Sequence, residues 1–298
     1  MGIALFIWVG GFHVNLLFSL LILCNLPGPV GIALLCVYLT LAFIPVKEDS
    51  SWGRELCRFA CSTVVDYFPI SLKFEERDSL DPGRAYVIGL EPHSVLPLSA
   101  VVLSPLVMKT PFPRIKMLGS SALKHVPFAR HVWTWMGVAD VSKSSFDDLL
   151  RRGWSCVVVP GGVQECLYME KDKEVIFLKQ RRGFVRMAMA TGSPLVPVFG
   201  FGQSHTYYFW LPKGQWFRKL SRMIHYVPML YWGIKGSPVP VPGRMLVVVG
   251  RPIEVPCVKN PTPQQVSEVH DKFVKAMEDI YERHKREGGM EGVPLVIK

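Results

Sequence analysis

Two polar stops at the ends of apolar runs hold the residues of this 298-residue chain best suited to moving protons. The first lies in Tyr86-Val87-Ile88-Gly89-Leu90-Glu91-Pro92-His93-Ser94. An imidazole changes charge near neutral pH and so suits a general base. Pro92 sets its own φ at about −65° and turns Glu91 away from helix, so a β-type run ends in a turn. Glu91 and His93 are thereby displayed at the mouth of a strand. Taken alone, a histidine in such a place is more often a turn residue bonded to nearby backbone.

The second stop follows Val157-Val158-Val159 and reads Pro160-Gly161-Gly162-Val163-Gln164-Glu165. Paired glycines let backbone come close to a ligand and offer N–H groups to an oxyanion or a thioester carbonyl. A plain strand-to-helix turn is the alternative. In open α/β sheets, however, sites lie beyond the carboxyl ends of strands. Two such ends here carry His93 and Glu165.

Two cationic stretches could meet an anion. Lys124-His125-Val126-Pro127-Phe128-Ala129-Arg130 precedes Trp133 and Trp135, placing a cation beside an aromatic wall. That suits a substrate with an anionic head and an apolar tail, or equally a solvated Arg beside a core tryptophan pair. Lys179-Gln180-Arg181-Arg182-Gly183-Phe184 puts three cations at a helix start, where anions bind well, although such runs are usually a solvated face.

Composition narrows the partners. The net charge is +10 and mean hydropathy is +0.25, so a basic chain carries an apolar excess, concentrated at the N-terminus. No recognisable nucleic-acid module accompanies the charge, which argues against nucleic acid as partner. A lipid surface and a polyanionic substrate such as a coenzyme A thioester fit better. The seven cysteines are odd in number, form no Cys-x-x-Cys pair and lack zinc-like spacing. They read as a reduced, cytosol-facing set, with Cys57 and Cys61 as weak palmitoylation candidates. Gly202-Gln203-Ser204-His205-Thr206 lacks the last glycine of a serine-hydrolase elbow. There is no phosphate-binding loop, and Gly200-Phe201-Gly202-Gln203-Ser204-His205 fails as a dinucleotide fingerprint.

Three segments must position these residues. Residues 1–46 contain two apolar runs around Asn25-Leu26-Pro27-Gly28-Pro29 and read as a transmembrane hairpin. Lys47, Arg54 and Arg58 stay cytoplasmic under the positive-inside rule. His13 and Asn15 are expected to face the partner helix. Residues 47–83 read as an interfacial or linker segment, with an interfacial or ordinary amphipathic helix ending before Pro69. Residues 84–298 alternate strands at 85–89, 156–159, 195–199 and 245–249 with helices at 144–152, 183–190 and from Thr262 onward. The last opens on a capping box and carries Val266, Val269, Phe273, Met277 and Ile280 on one face. The expected fold class is α/β: a mixed, largely parallel sheet flanked by helices.

Glu91-Pro92-His93-Ser94, Pro160-Gly161-Gly162 with Glu165, Arg182-Gly183-Phe184 through Phe201-Gly202-Gln203, and Val248-Val249-Gly250-Arg251-Pro252-Ile253 stand in one order. In that order they resemble the type 2 diacylglycerol acyltransferases, most closely their plant branch. Animal and fungal members usually have His-Pro-His-Gly where this chain has Glu91 to Ser94. The resemblance spans essentially the whole chain. It implies a glycerolipid-acyltransferase-like fold in a multi-pass protein of the endoplasmic reticulum membrane, its catalytic domain facing the cytosol, with association with lipid droplets. The implied activity is transfer of a fatty acyl group from acyl-CoA to diacylglycerol. Acyl-CoA is then a co-substrate, and no metal or redox cofactor is needed.

More distant glycerolipid acyltransferases have a His-x4-Asp pair, an Arg block and a Pro-Glu-Gly block. His93, Arg130 and Glu165 would stand for these, but Leu98 occupies the aspartate position. On this reading His93 is the base and Glu91 or Glu165 orients it, the choice staying open. Gly161 and Gly162 supply oxyanion N–H groups, while Ser94, Arg130, Arg181 and Arg182 bind substrate. Monoacylglycerol, a long-chain alcohol or a sterol are rival acceptors. A non-catalytic lipid-binding scaffold of the membrane or lipid droplet is the rival class. The oligomeric state is open, a homo-oligomer or a complex with other lipid-synthesis enzymes being the alternatives.

Overall fold

Near-continuous apolar strands need cover on both faces, and the strands that carry the site are of this kind. The computed structural model describes residues 1–107, 110–212, 214–224 and 227–298. The main sheet has seven strands: β1 (Ile70–Phe74), β2 (Val87–Glu91), β3 (Ile115–Gly119), β4 (Val138–Asp140), β5 (Ser155–Val158), β7 (Leu195–Phe201) and β10 (Met245–Val249). Small pairs are made by β6 (Glu174–Ile176) with β11 (Leu295–Ile297), and by β8 (Tyr208–Trp210) with β9 (Leu230–Trp232). The order across the main sheet is β1-β10-β7-β2-β5-β3-β4, and only the β10–β7 pairing is antiparallel. The sheet is therefore mixed and largely parallel, as expected.

The pleat sends alternate residues into two cores. Val87, Cys156, Val158, Leu195, Phe199 and Val248 join Phe273, Met277 and Ile280 of α8 (Pro263–His284) on one face. Around α8 on that face lie α5 (Lys143–Arg151) and α6 (Gly183–Thr191). Ile88, Leu90, Val157, Val198 and Val247 face the other way, onto α1 (Gly2–Asn25) and α3 (Ser51–Tyr67). The Thr262 capping box forms as read, and Gly192 closes α6 at φ 68°. The remaining helices are α2 (Pro29–Phe43), α4 (Ala129–Trp135) and α7 (Gln215–Ile224).

Three expectations change. The segment 47–83 is no linker: β1 pairs with β10 at the sheet edge, and α3 buries Cys61 and Val64 in the core with Ile70, and Cys57 against Val132. Burial pushes both thiols up to about 12, which removes them as modification candidates. Helix α3 does end before Pro69. The 85–89 strand runs two residues later, so Glu91 closes β2 and is fully buried.

The N-terminal helices do form a packed pair, but α1 bends by 57° between Gly2–Gly11 and His13–Asn25. No single described helix is long and apolar enough to cross a membrane. His13 and Asn15 do not face α2. The Asn15 amide donates to the Pro127 carbonyl at 2.6 Å, and the His13 ring lies 6.1 Å from that of Tyr231. Both tie α1 to the α/β domain.

Candidate active site

The order β7-β2-β5 sets three strand ends side by side, and each is followed by a residue that shapes one turn. His93 follows β2, Glu165 lies in the short helical turn after β5 (Gly162–Tyr168), and Gln203 comes just after β7. Glu165 Oε1 accepts the His93 N–H at 2.5 Å and the Ser94 N–H at 3.1 Å. Its Oε2 accepts the Phe177 N–H at 3.1 Å. The Gln203 amide donates to the Pro92 carbonyl at 2.7 Å, and its oxygen accepts the Ser99 N–H at 2.7 Å. Two buried side chains therefore grip the His93 turn by its backbone, from strands on either side of β2.

Neither carboxylate is found on the imidazole ring, which corrects the expectation that Glu91 or Glu165 orients it. The ring nitrogen Nδ1 lies 2.8 Å from the Ser94 carbonyl oxygen instead. A carbonyl can only accept, so Nδ1 carries the hydrogen, and in the neutral ring the lone pair is on Nε2. Ser94 reaches this position with φ at 57°, the left-handed region that a β-carbon disfavours. The half-buried His93 ring is thus fixed as the tautomer that a general base needs. Cys166, 3.8 Å from Nδ1, also donates to the Ser94 carbonyl, and burial raises its thiol, so it is no ready nucleophile.

Glu91 supports the neighbouring turn. Its Oε1 accepts the Gly161 N–H at 2.9 Å, while Oε2 is buried without a hydrogen-bond partner. Burial first, and then the charge of Glu165, raise Glu91 well above the usual carboxylate range. Arg181 stands over the Phe177 ring and donates to the Gly161 carbonyl at 3.1 Å. It is a component of this buried cluster and not a free phosphate-binding cation.

The glycine pair does not form the expected oxyanion hole. The Gly161 N–H is taken by Glu91, and the Gly162 N–H by the Val159 carbonyl at 3.0 Å. Their value is steric: a β-carbon at Gly161 would collide with Glu165 Oε2, and Gly162 turns with φ at 53°. Arg130 is likewise displaced from its expected role. It donates to the carbonyls of Leu41, Ala42 and Ile44, satisfying the open end of α2. Arg182 alone of the three arginines is exposed with no side-chain hydrogen bond or ion pair among the described residues.

A cavity of about 340 Å³ adjoins the turn, with Ser94, Glu165, Glu174 and Ser204 on one side and Tyr207 and Phe209 among its apolar walls. Glu174 is buried, accepts the Ser204 hydroxyl at 2.7 Å, and is pushed up to about 8 by that burial. A larger cavity of about 460 Å³ lies beneath the hairpin between Lys47, Trp52, His131 and Trp135, and none of the expected site residues line it. Gln203, Glu174 and Cys166 are absent from the expected site. Gln203 alone left a trace, as the last residue of an ordered motif at a strand end.

The chain is similar to a known family and to several known proteins. The family described as diacylglycerol acyltransferase matches residues 25–298. Diacylglycerol O-acyltransferase 2 of Dictyostelium discoideum is 30% identical over 271 residues, 83% of this chain and 81% of that protein. Acyl-CoA wax alcohol acyltransferase 2 of Mus musculus is 33% identical over 254 residues, 78% and 75% of the two chains. Among solved structures, the 1-acyl-sn-glycerophosphate acyltransferase PlsC of Thermotoga maritima aligns at a TM-score of 0.45 and 13% identity, covering 90% of this chain and 97% of that one.

Proposed function

The chain belongs to the diacylglycerol acyltransferase family, and from that premise we propose how His93 drives its reaction. The protein is an O-acyltransferase that moves a fatty acyl group from acyl-CoA to the free hydroxyl of diacylglycerol, making triacylglycerol. The observation that carries the catalytic assignment is the fixed tautomer of His93, with Nδ1–H on the Ser94 carbonyl and Nε2 left as the base. Nε2 takes the hydroxyl proton as the acceptor oxygen attacks the thioester carbonyl. The tetrahedral intermediate then expels the coenzyme A thiolate, which recovers the proton from the imidazolium. One C–O bond forms, one C–S bond breaks, and the histidine returns to its starting state.

Glu165 and Gln203 act as positioning residues through the backbone, and Glu91, Gly161 and Arg181 brace Glu165. Arg182, exposed beside this cluster in sequence, is the cation offered to coenzyme A phosphates. The exposed apolar side chains of α1 and α2, among them Leu17, Leu23, Val30 and Phe43, support insertion of the hairpin into the endoplasmic reticulum membrane with the α/β domain on the cytosolic side. Lipid droplets would be a second location. The Glu-Pro-His-Ser box supports placement in the plant branch. A long-chain alcohol as acceptor is the second reading, favoured by the identity to a wax alcohol acyltransferase.

The test uses membranes of cells lacking their own neutral-lipid acyltransferases, with labelled oleoyl-CoA and diacylglycerol, monoacylglycerol or hexadecanol in turn. Label in triacylglycerol is expected, with a loss of roughly 10²–10⁴-fold in His93→Ala. Unchanged turnover in a folded His93→Ala protein would overturn the base. Label only in wax ester would move the acceptor to the alcohol.

A further inference from the structure

Between β7 and β10 the chain makes an excursion, β8–α7–β9, that is not needed to complete the sheet. Register within its two-stranded ribbon pairs Tyr208 with Trp232, Phe209 with Tyr231, and Trp210 with Leu230. Side chains on a ribbon alternate between faces, so Tyr208, Trp210, Leu230 and Trp232 share one face. All four are exposed, Trp210 at 55% and Leu230 at 64%. Phe209 and Tyr231 turn inward against the core that includes Leu5 and Val9 of α1. A ribbon with one buried face ordinarily carries polar residues on the other. Here the outer face is aromatic and aliphatic throughout.

Helix α7 continues the pattern. Phe217 and Ser221, four apart, are buried, while Trp216 and Met223, seven apart, are 65% and 71% exposed. Lys219 falls between them in sequence, Arg218 stands over the Tyr168 ring, and Arg222 donates to the Tyr168 hydroxyl at 2.9 Å. Tryptophan and tyrosine bodies with lysine and arginine around them are the composition that settles at a lipid headgroup layer. The excursion touches both the hairpin and the active site. Tyr231 meets His13 of α1, and Tyr208 and Phe209 line the cavity beside Ser94.

We propose that the outer face of β8–α7–β9 is a second membrane contact, which seats the wall of the cavity beside Ser94 in the headgroup layer so that a lipid acceptor enters directly from the bilayer. The proposal rests on the membrane reading of the hairpin given above. Two features favour lipid over a protein partner: continuity with α1 through Tyr231, and the basic rim that anionic headgroups attract.

The full-length protein, reconstituted in phosphatidylcholine vesicles with an anionic lipid, carries photoreactive benzoylphenylalanine in place of Trp216, Leu230, Leu20 of the hairpin, or Lys275 of α8. Lipid adducts are expected at 216, 230 and 20 and not at 275. Adducts at 20 alone overturn the second contact and leave the hairpin reading standing. Cross-links from 216 or 230 to another protein or a second copy overturn it in favour of a protein interface. No lipid adduct at any position sinks both readings. Activity provides an independent check in a Trp210→Ser, Trp216→Ser, Met223→Ser variant. KM for diacylglycerol presented in vesicles rises, while turnover of the same acceptor in detergent is unchanged; an unaltered vesicle KM refutes the proposal.

Discussion

Replacing Gln203 by Leu tests whether the His93 turn is held through its backbone. The substitution keeps much of the side-chain volume but deletes an acceptor and a donor. The Ser99 N–H and the Pro92 carbonyl, bonded to Gln203 at 2.7 Å each, then lose these partners inside the core. Each orphaned buried group costs about 1–3 kcal/mol, so the variant loses about 2–6 kcal/mol. For a chain of this size that corresponds to a drop of about 4–12 °C in the thermal midpoint, read in detergent micelles. Turnover falls further than stability alone explains, because a drift of ~1 Å in a catalytic group can cost ~10²-fold. KM for acyl-CoA is unaffected, since Gln203 is not assigned to substrate. The partial replacement Gln203→Glu has a distinct pH signature. A carboxyl facing the Pro92 carbonyl must be protonated to donate, so its folded pKa is raised above the unfolded value of about 4.3. Its stability deficit is therefore small below that pH and grows as pH rises. An unchanged midpoint and kcat in Gln203→Leu, or a Gln203→Glu deficit that shrinks with rising pH, would refute the reasoning.

Ser94 adopts φ of 57°, so Ser94→Gly keeps activity while the β-branched Ser94→Val, which resists that region, loses most of it; steady-state kinetics on both variants checks the pair. Glu174 is raised by burial from 4.5 to about 8, so wild-type stability contributed by its neutral form is full below pH 4.5 and is lost as pH rises toward 8. Denaturant unfolding of Glu174→Gln should show relative stability increasing across that window, and parallel curves would exclude it. Arg130→Ala leaves KM for acyl-CoA unchanged but frees three carbonyls at the end of α2, raising proteolytic cleavage between residues 43 and 51; a raised KM would return Arg130 to substrate binding.

What could be read from the sequence was local. Val266, Val269, Phe273, Met277 and Ile280 repeat at helical spacing, and Thr262 caps the turn just ahead of them, so α8 is written within one stretch of chain. The apolar runs of β5, β7 and β10 are equally self-contained. His93 and Glu165 could be paired because both end such runs. Their contact could not be foreseen, because it depends on β2 and β5 lying side by side and on which atoms of the turn face β5. The same adjacency places Glu91 against Gly161, and this is why an N–H group that looked free for an oxyanion is spent. Gln203 escaped because only the β7–β2 pairing brings its side chain under Pro92. Arg130 looked like a substrate cation because the opening at the end of α2, some 86 residues earlier, leaves no local mark. In the segment 207–232 the strands β8 and β9 are three residues each, too short for an alternation to register, and the helical pattern of α7 between them runs over only ten residues.

Leu98, five residues beyond His93, explains why no aspartate is missed. It is buried in the turn spanning Leu98–Leu103, beside Ile88 and Leu90, where a carboxylate would have no partner. The requirement for a fixed tautomer does not vanish with the aspartate. It passes to the Ser94 carbonyl, which the left-handed turn folds back onto Nδ1, while Glu165 holds the N–H groups of the same two residues. A neutral carbonyl stabilises an imidazolium less than a carboxylate does, so this arrangement suits a reaction in which the charged histidine is short-lived. Acyl transfer from a thioester is such a reaction. The leaving group is a thiolate, and a thiol such as cysteine has a pKa of about 8.5, far below that of an alcohol, so it departs with little help and the histidine is needed chiefly as a base. An ester or amide donor would demand more of the imidazolium as an acid. The substitution of a carbonyl for a carboxylate thus fits coenzyme A as the acyl carrier, and it predicts that oxygen-ester analogues of acyl-CoA are turned over far more slowly than thioesters. Comparable turnover of an oxygen ester would show that Ser94 and Nδ1 are not the whole of the charge-stabilising environment.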